Sequence, residues 1–282
     1  MSERVTIAIA DGIADVRLDR GQKMNAMDGK MFAALVEAAD ELDTNNSVRA
    51  VVLSGNGPSF CAGLDFSGFQ AMAGGTSGTS GTDGTEDTGT DTGAIGSLEP
   101  DRRHVTHRAQ QAVWGWHELP MPVIAAVHGV AFGAGCQLAV GDDIRFVTPD
   151  VRMSVLEIRW GLSPDMTITA LLPGLVGADR AKELIWTGRE VNGPEAVEIG
   201  LATHVADDPH AAAMELAGLI ATKSPDAIRA GKRLVNGVAT EDYNAQFEAE
   251  RREIGALIGS PNQVESVQAF FEKRTPAYTD PT

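Results

Sequence analysis

Two segments place glycines directly behind a run of apolar residues. They are GNGPSFCAGLDFSGF at 55–69 and VHGVAFGAGCQLAV at 127–140. Each run reads as a short buried strand that breaks into a tight turn, where backbone N–H groups are left without a ladder partner. Two such donors aimed at one point can hold the negative charge that a thioester oxygen acquires when the adjacent carbon loses a proton. Either turn alone is explained by ordinary chain reversal. As a pair they have the parts of an oxyanion hole.

Other chemistries fit less well. A dinucleotide fingerprint starting at Gly133 and Gly135 needs a third Gly or Ala at 138, where Leu138 stands. His104 and His107 are spaced i, i+3 but have no carboxylate or cysteine cluster with them, so no metal site is expected. The G-x-S-x-G elbow of serine hydrolases is absent.

The elements that must position the two turns follow from periodicity. Residues 4–19 read as a hairpin around Asp11-Gly12, 28–43 as a helix, and RAVVLSG as a buried strand. Strand and helix then alternate through PVIAAVHG, 134–140 and IRFVTP, which indicates an α/β core. Beyond about residue 178 the pattern becomes helical. The expected division is a core at 1–205 and a helical C-terminal subdomain at 206–282. Between 73 and 97 lie 8 Gly, 7 Thr and 3 Ser in 25 residues, too little apolar surface to offset ordering entropy. This insert reads as a tolerated surface loop, or as a lid on the turn before it.

Composition narrows the partners. With 23 Lys and Arg against 39 Asp and Glu, the net charge is −16, which argues against nucleic acid and anionic membrane. Two cysteines, Cys61 and Cys136, suit a reducing compartment, and the charged, alternating N-terminus is not a signal peptide. The expected compartment is the cytoplasm.

SFCAGLD, then AAVHGVAFGAGCQLAVGDDIRF, then GLSPD, together with QKMNAM, IWTGREVNGPEAVEIGLATHV and the closing FFEKR, resemble the crotonase (enoyl-CoA hydratase/isomerase) superfamily over nearly the whole chain. The resemblance implies a spiral of repeated ββα units with a helical C-terminal region that trimerises, giving a homotrimer or hexamer. It implies an acyl-CoA thioester as substrate, with coenzyme A entering as part of that substrate and no separate cofactor. By position, the oxyanion donors would be the N–H groups of Leu64 and Ala134, flanked by Ala62, Gly63, Asp65 and Gly133. Ala134 departs mildly from the glycine usual there. Lys23, Met24 and Ala26 would lie along the nucleotide part of CoA. Phe270 and Lys273 would reach the CoA of a neighbouring subunit, although Lys273 also reads as an ordinary exposed charge.

The superfamily carries several reactions, and three positions discriminate among them. Hydratases hold water between two glutamates, and here those positions carry Gln137 and Glu157. An amide orients water but cannot exchange a proton near neutral pH. Asp165, eight residues after Glu157, is spaced as in dienoyl-CoA isomerases, though these carry Asp where Gln137 stands. Asp165 could equally cap a helix beginning at Met166. The leading expectation is an isomerase that shifts a double bond in an unsaturated acyl-CoA, with Glu157 as base. An enoyl-CoA hydratase is the alternative. A non-catalytic acyl-CoA-binding or RNA-binding relative is disfavoured by the two carboxylates and the negative charge.

Overall fold

A computed structural model describes residues 4–65, 105–238 and 243–281. The insert at 73–97 and its suggested lid role lie outside the described residues. Strands β1 (Val5–Ala10) and β2 (Ile13–Leu18) form the expected antiparallel hairpin. Its turn residues Asp11 and Gly12 both have positive φ, the twist that matches a two-residue hairpin. Helix α1 (Gly29–Asp43) starts where the Asp28 carboxylate accepts from the Met31 N–H at 2.8 Å, a cap worth about 1 kcal/mol. Arg4 pairs with the same carboxylate at 2.8 Å, tying the helix start to the first strand.

From β2 onward the large sheet is parallel. It runs through β3 (Ala50–Gly55), β4 (Val123–Val127), β6 (Ile144–Val147) and β8 (His204–Val205), in the order β1-β2-β3-β4-β6-β8. A second, smaller ladder runs beside it. Strands β5 (Val130–Phe132) and β7 (Arg152–Ser154) pair in parallel, and single bridges join Met27 to Leu64, Cys61 to Ala131 and Met153 to Val191. Each turn of the chain gives one strand to the large sheet and a short piece to the small ladder before its helix. That is the ββα spiral of the crotonase fold. Helices α2 (Arg108–Glu118) and α3 (Ala134–Gly141) close two of these turns.

The central strands β3 and β4 of the large sheet are buried on both faces, as parallel strands are. Val51 and Leu53 of β3 point into the main core, while Ala50 and Val52 point to the opposite face. There they meet Ala213 and Ala217 of a later helix (Pro209–Ala221), whose small side chains allow close approach. Between these layers come α4 (Ile168–Val176), α5 (Ala178–Thr187) and α6 (Gly193–Glu198), so the helix on the sheet is α7. The first helix of the C-terminal region thus packs on the sheet itself.

Helix α8 (Pro225–Gly237) is tied to the sheet by Lys232, whose Nζ lies 2.7 Å from Asp143 and 3.1 Å from the Met121 carbonyl. Helices α9 (Tyr243–Leu257) and α10 (Pro261–Glu272) follow. Among the described residues, no helix is long and apolar enough to cross a membrane.

Candidate active site

The two glycine turns lie side by side because the small ladder binds them together. Phe60 donates to the His128 carbonyl at 2.9 Å, Cys61 to Val130 at 3.0 Å, and Phe132 back to Cys61 at 3.1 Å. Gly63 has φ +93°, and a Cβ there would lie 2.7 Å from the Phe132 carbonyl oxygen. That same Cβ position is 4.0 Å from the Ala134 nitrogen, so the ends of the two turns face one another. The bridge at Leu64 is made by its neighbours: Met27 donates to Gly63, and Asp65 donates to Met27. The Leu64 N–H therefore stays free, as does that of Ala134 in the first turn of α3, with no partner among the described residues. The α3 dipole adds positive potential at Ala134. Two free N–H groups thus stand at the facing ends of the two turns.

Asn25, in the QKMNAM segment, fixes the first turn from behind. It is fully buried, accepts from the Arg20 N–H at 2.8 Å, and donates to the carbonyls of Asn56 and Ser59 at 2.9 and 2.8 Å. Sequence reasoning quoted this segment without singling out Asn25. Its role depends on residues more than thirty positions away.

A cavity of about 460 Å³ opens beside the donors. Met24, Ala62, Gly63, Leu64, Gly133 and Ala134 line it. Gln137, Glu157 and Asp165 line it as well, so the three discriminating side chains share one chamber. Phe32, Phe132, Trp160 and Leu162 supply apolar wall, suited to an acyl chain. The sequence offered no signal for Phe32, whose helical spacing marks it as core. Arg159 and Ser163 also line the cavity, and neither was singled out.

Glu157 opens a short 3₁₀ turn, Glu157–Trp160. Its Oε1 accepts from Gln137 Nε2 at 2.7 Å, while its Oε2 is buried with no hydrogen-bond partner among the described residues. Gly133, with φ +50°, permits this placement, since a Cβ there would stand 3.2 Å from Glu157 Oε1. Burial pushes the Glu157 pKa above the usual carboxylate range; its own backbone N–H and the Gln137 bond oppose the shift, and the negative charge of Asp165 adds to it. The apolar residues around it in the sequence desolvate it unevenly. Val155 is buried, whereas Ile158, Trp160 and Leu162 are about two-fifths exposed.

Gln137 is 1% exposed, and its Oε1 accepts from the Met166 N–H at 2.9 Å. Both ends of the amide are thus engaged, leaving its second N–H as a further donor. Asp165 is half-buried, its carboxyl pushed up by burial and pulled back by His107. It does not cap a helix from Met166: α4 begins at Ile168, with Thr167 at its N-cap.

The remaining expected positions lie off the cavity wall. Asp65 pairs with Arg20 at 2.6 Å, and Arg20 also donates to the Ala26 carbonyl at 2.8 Å, which locks the turn after Leu64. Lys23 is exposed beside Met24. Phe270 is 77% exposed and Lys273 ends α10 in the left-handed region, so neither belongs to this cavity within the single chain. No cluster of metal-ligating side chains occurs among the described residues.

The spiral of ββα units and its paired donors define the class as a crotonase-fold protein. The family model described as enoyl-CoA hydratase/isomerase matches residues 13–280. The chain belongs to that family, whose members act on acyl-CoA thioesters. A protein of Escherichia coli (strain K12) named 1,2-epoxyphenylacetyl-CoA isomerase is 30% identical over 282 residues, covering 99% of both chains. One of Bacillus subtilis (strain 168), named as an enoyl-CoA hydratase/isomerase, is 31% identical over 269 residues, covering 94% of each. A solved structure from Streptomyces coelicolor A3(2), titled as an enoyl-CoA hydratase, superposes with a TM-score of 0.82 at 32% identity, over 99% of this chain and 95% of the other.

Proposed function

We propose that this enzyme shifts a carbon–carbon double bond in an unsaturated acyl-CoA, using Glu157 as the base. One observation carries the reading: Glu157 Oε2 is buried and unpartnered, and Glu157 lines the same cavity as Leu64 and Ala134, while its other oxygen is held by an amide that is no acid or base near neutral pH. In this reading Oε2 takes a proton from carbon 2 of a 3-enoyl thioester. The N–H groups of Leu64 and Ala134 hold the resulting enolate oxygen. The same carboxyl returns the proton at carbon 4, and the product is the conjugated 2-enoyl thioester. Coenzyme A comes and goes with the substrate, its nucleotide lying along Lys23, Met24 and Ala26.

The test is conversion of 3-enoyl-CoA, followed by the absorbance of the conjugated thioester. Glu157→Gln keeps size and hydrogen bonding but removes the base. Turnover should then fall by roughly 10²–10⁴-fold with acyl-CoA binding retained. Full activity in that variant would sink the assignment.

A second reading is supported by Asp165, a second carboxyl on the same cavity. With Glu157 it could grip a water, making the enzyme an enoyl-CoA hydratase, the activity named for the Streptomyces structure. Addition of water to 2-enoyl-CoA without any shift of 3-enoyl-CoA would favour it. As a homotrimer or hexamer in the cytoplasm, the enzyme would bring Phe270 and Lys273 to a neighbour's CoA.

A further inference from the structure

Phe132 gives its side chain to the wall of the acyl cavity, two residues before the Ala134 donor. Its backbone is fixed on both sides. Its own N–H donates to the Cys61 carbonyl at 3.1 Å, and the next N–H, of Gly133, donates to the Ser154 carbonyl at 2.9 Å. What the ladder leaves free is rotation of a half-buried side chain. The guanidinium of Arg152, on the neighbouring strand β7, stands 5.4 Å from the centre of the Phe132 ring, within cation–π range.

Arg152 is held in turn by Glu190. Its Nη2 donates to Glu190 Oε1 at 2.7 Å and its Nε donates to Oε2, a two-pronged pair that fixes the plane of the guanidinium. The backbone places Glu190: its neighbour Val191 exchanges two hydrogen bonds with Met153, at 2.8 and 2.9 Å, and Ser154 Oγ donates to the Gly188 carbonyl at 2.8 Å. Adjacent segments of the small ladder thus carry Phe132, Arg152 and Glu190. Both charged side chains are exposed, so their pairing adds little to the stability of the whole fold. Neither is among the described residues that line the cavity, so their contact with a cavity ligand runs through the ring.

We propose that Arg152, clamped by Glu190, is a positioning residue that holds the Phe132 ring as a fixed wall for the acyl part of the substrate. A wall ordered before the ligand arrives spares the cost of ordering it on binding. The inference rests on the cavity being the acyl-CoA site, and not on which bond the enzyme moves.

The first test needs no ligand. In protein labelled with ¹³C in its phenylalanine rings, the Phe132 signal is assigned by its loss in Phe132→Leu, and ring order is read from relaxation. Ring order should fall in Arg152→Met, and to a smaller degree in Glu190→Gln, which removes only the charge of the clamp. A ring that stays as ordered in Arg152→Met as in wild type overturns the inference.

Binding supplies the second test, by calorimetry with hexanoyl-CoA, which has no double bond to move, and with coenzyme A alone. Arg152→Met should weaken hexanoyl-CoA by about three- to tenfold and coenzyme A by less than about twofold. In a Phe132→Leu background the same substitution should change hexanoyl-CoA binding by less than about twofold, because the ring through which it acts is gone. Equal weakening of both ligands, or the full effect in the Phe132→Leu background, would mean that Arg152 acts by another route and overturns the proposal. A wild-type protein that binds neither ligand would sink the acyl-CoA reading of the cavity, while ring order still decides the brace.

Discussion

Gln137 Nε2 donates to Glu157 Oε1 at 2.7 Å while Gln137 Oε1 accepts from the Met166 N–H at 2.9 Å. One buried amide therefore joins α3, the 3₁₀ turn that carries the proposed base, and the segment that carries Asp165. Its orientation is dictated at both ends: only the NH₂ group can face the carboxylate, and only the carbonyl can face the N–H.

Removing that amide should shift the pH profile. The Gln137 bond favours the charged form of Glu157, so Gln137→Met should raise the Glu157 pKa further above its already elevated position. A base works as its carboxylate, so kcat/KM should rise with pH through that pKa. In the variant the acid limb should lie at higher pH. Measurement of kcat/KM against pH in both proteins checks this. Gln137→Glu, which restores a second carboxyl beside Glu157, should raise hydration of 2-enoyl-CoA.

Asp142 is a second buried carboxyl with a different expected consequence. Both its side-chain oxygens lack hydrogen-bond partners among the described residues, and burial, together with the adjacent Asp143, holds its pKa well above the usual range. A raised folded-state pKa stabilises the fold at pH below the unfolded-state pKa, and that contribution is lost as pH rises through the folded value. Asp142→Asn removes the ionisable group. It should raise stability by about 1–3 kcal/mol at pH 8, and the gain should vanish toward pH 4. Thermal melts of both proteins across that range measure the difference.

The cysteines should be inert in the native state. Cys61 and Cys136 are both 0% exposed, and burial pushes each thiol up to about 12. The thiolate is the reactive species. Iodoacetamide at pH 8 should therefore leave the folded protein unlabelled and modify both residues after denaturation, as read by mass spectrometry.

Self-association should account for the apolar surface of the last helices. Val235, Phe247, Ile254, Phe270 and Phe271 are between 51% and 77% exposed, a density of bare apolar side chains that marks an interaction surface. Light scattering at micromolar concentration should give a trimer or hexamer. Phe270→Asp and Ile254→Asp together should shift the species toward monomer without loss of helical content. A wild-type monomer would refute the expectation.

The sequence by itself determined the elements and the two turns. Apolar runs ending in glycine, the hairpin at Asp11-Gly12 and helical spacing at 28–43 are local signals. They follow from φ/ψ limits and from the period at which side chains meet a core. Glu157 and Asp165 were legible as site residues because motif resemblance stands in for spatial knowledge. What only the tertiary structure decided is which atoms are left free. Gln137 is engaged by a backbone N–H twenty-nine positions away, Asp65 is held by Arg20, and Asn25 ties down the first turn. Hydrogen-bond satisfaction and desolvation depend on every neighbour in three dimensions, and spacing along a chain does not record them.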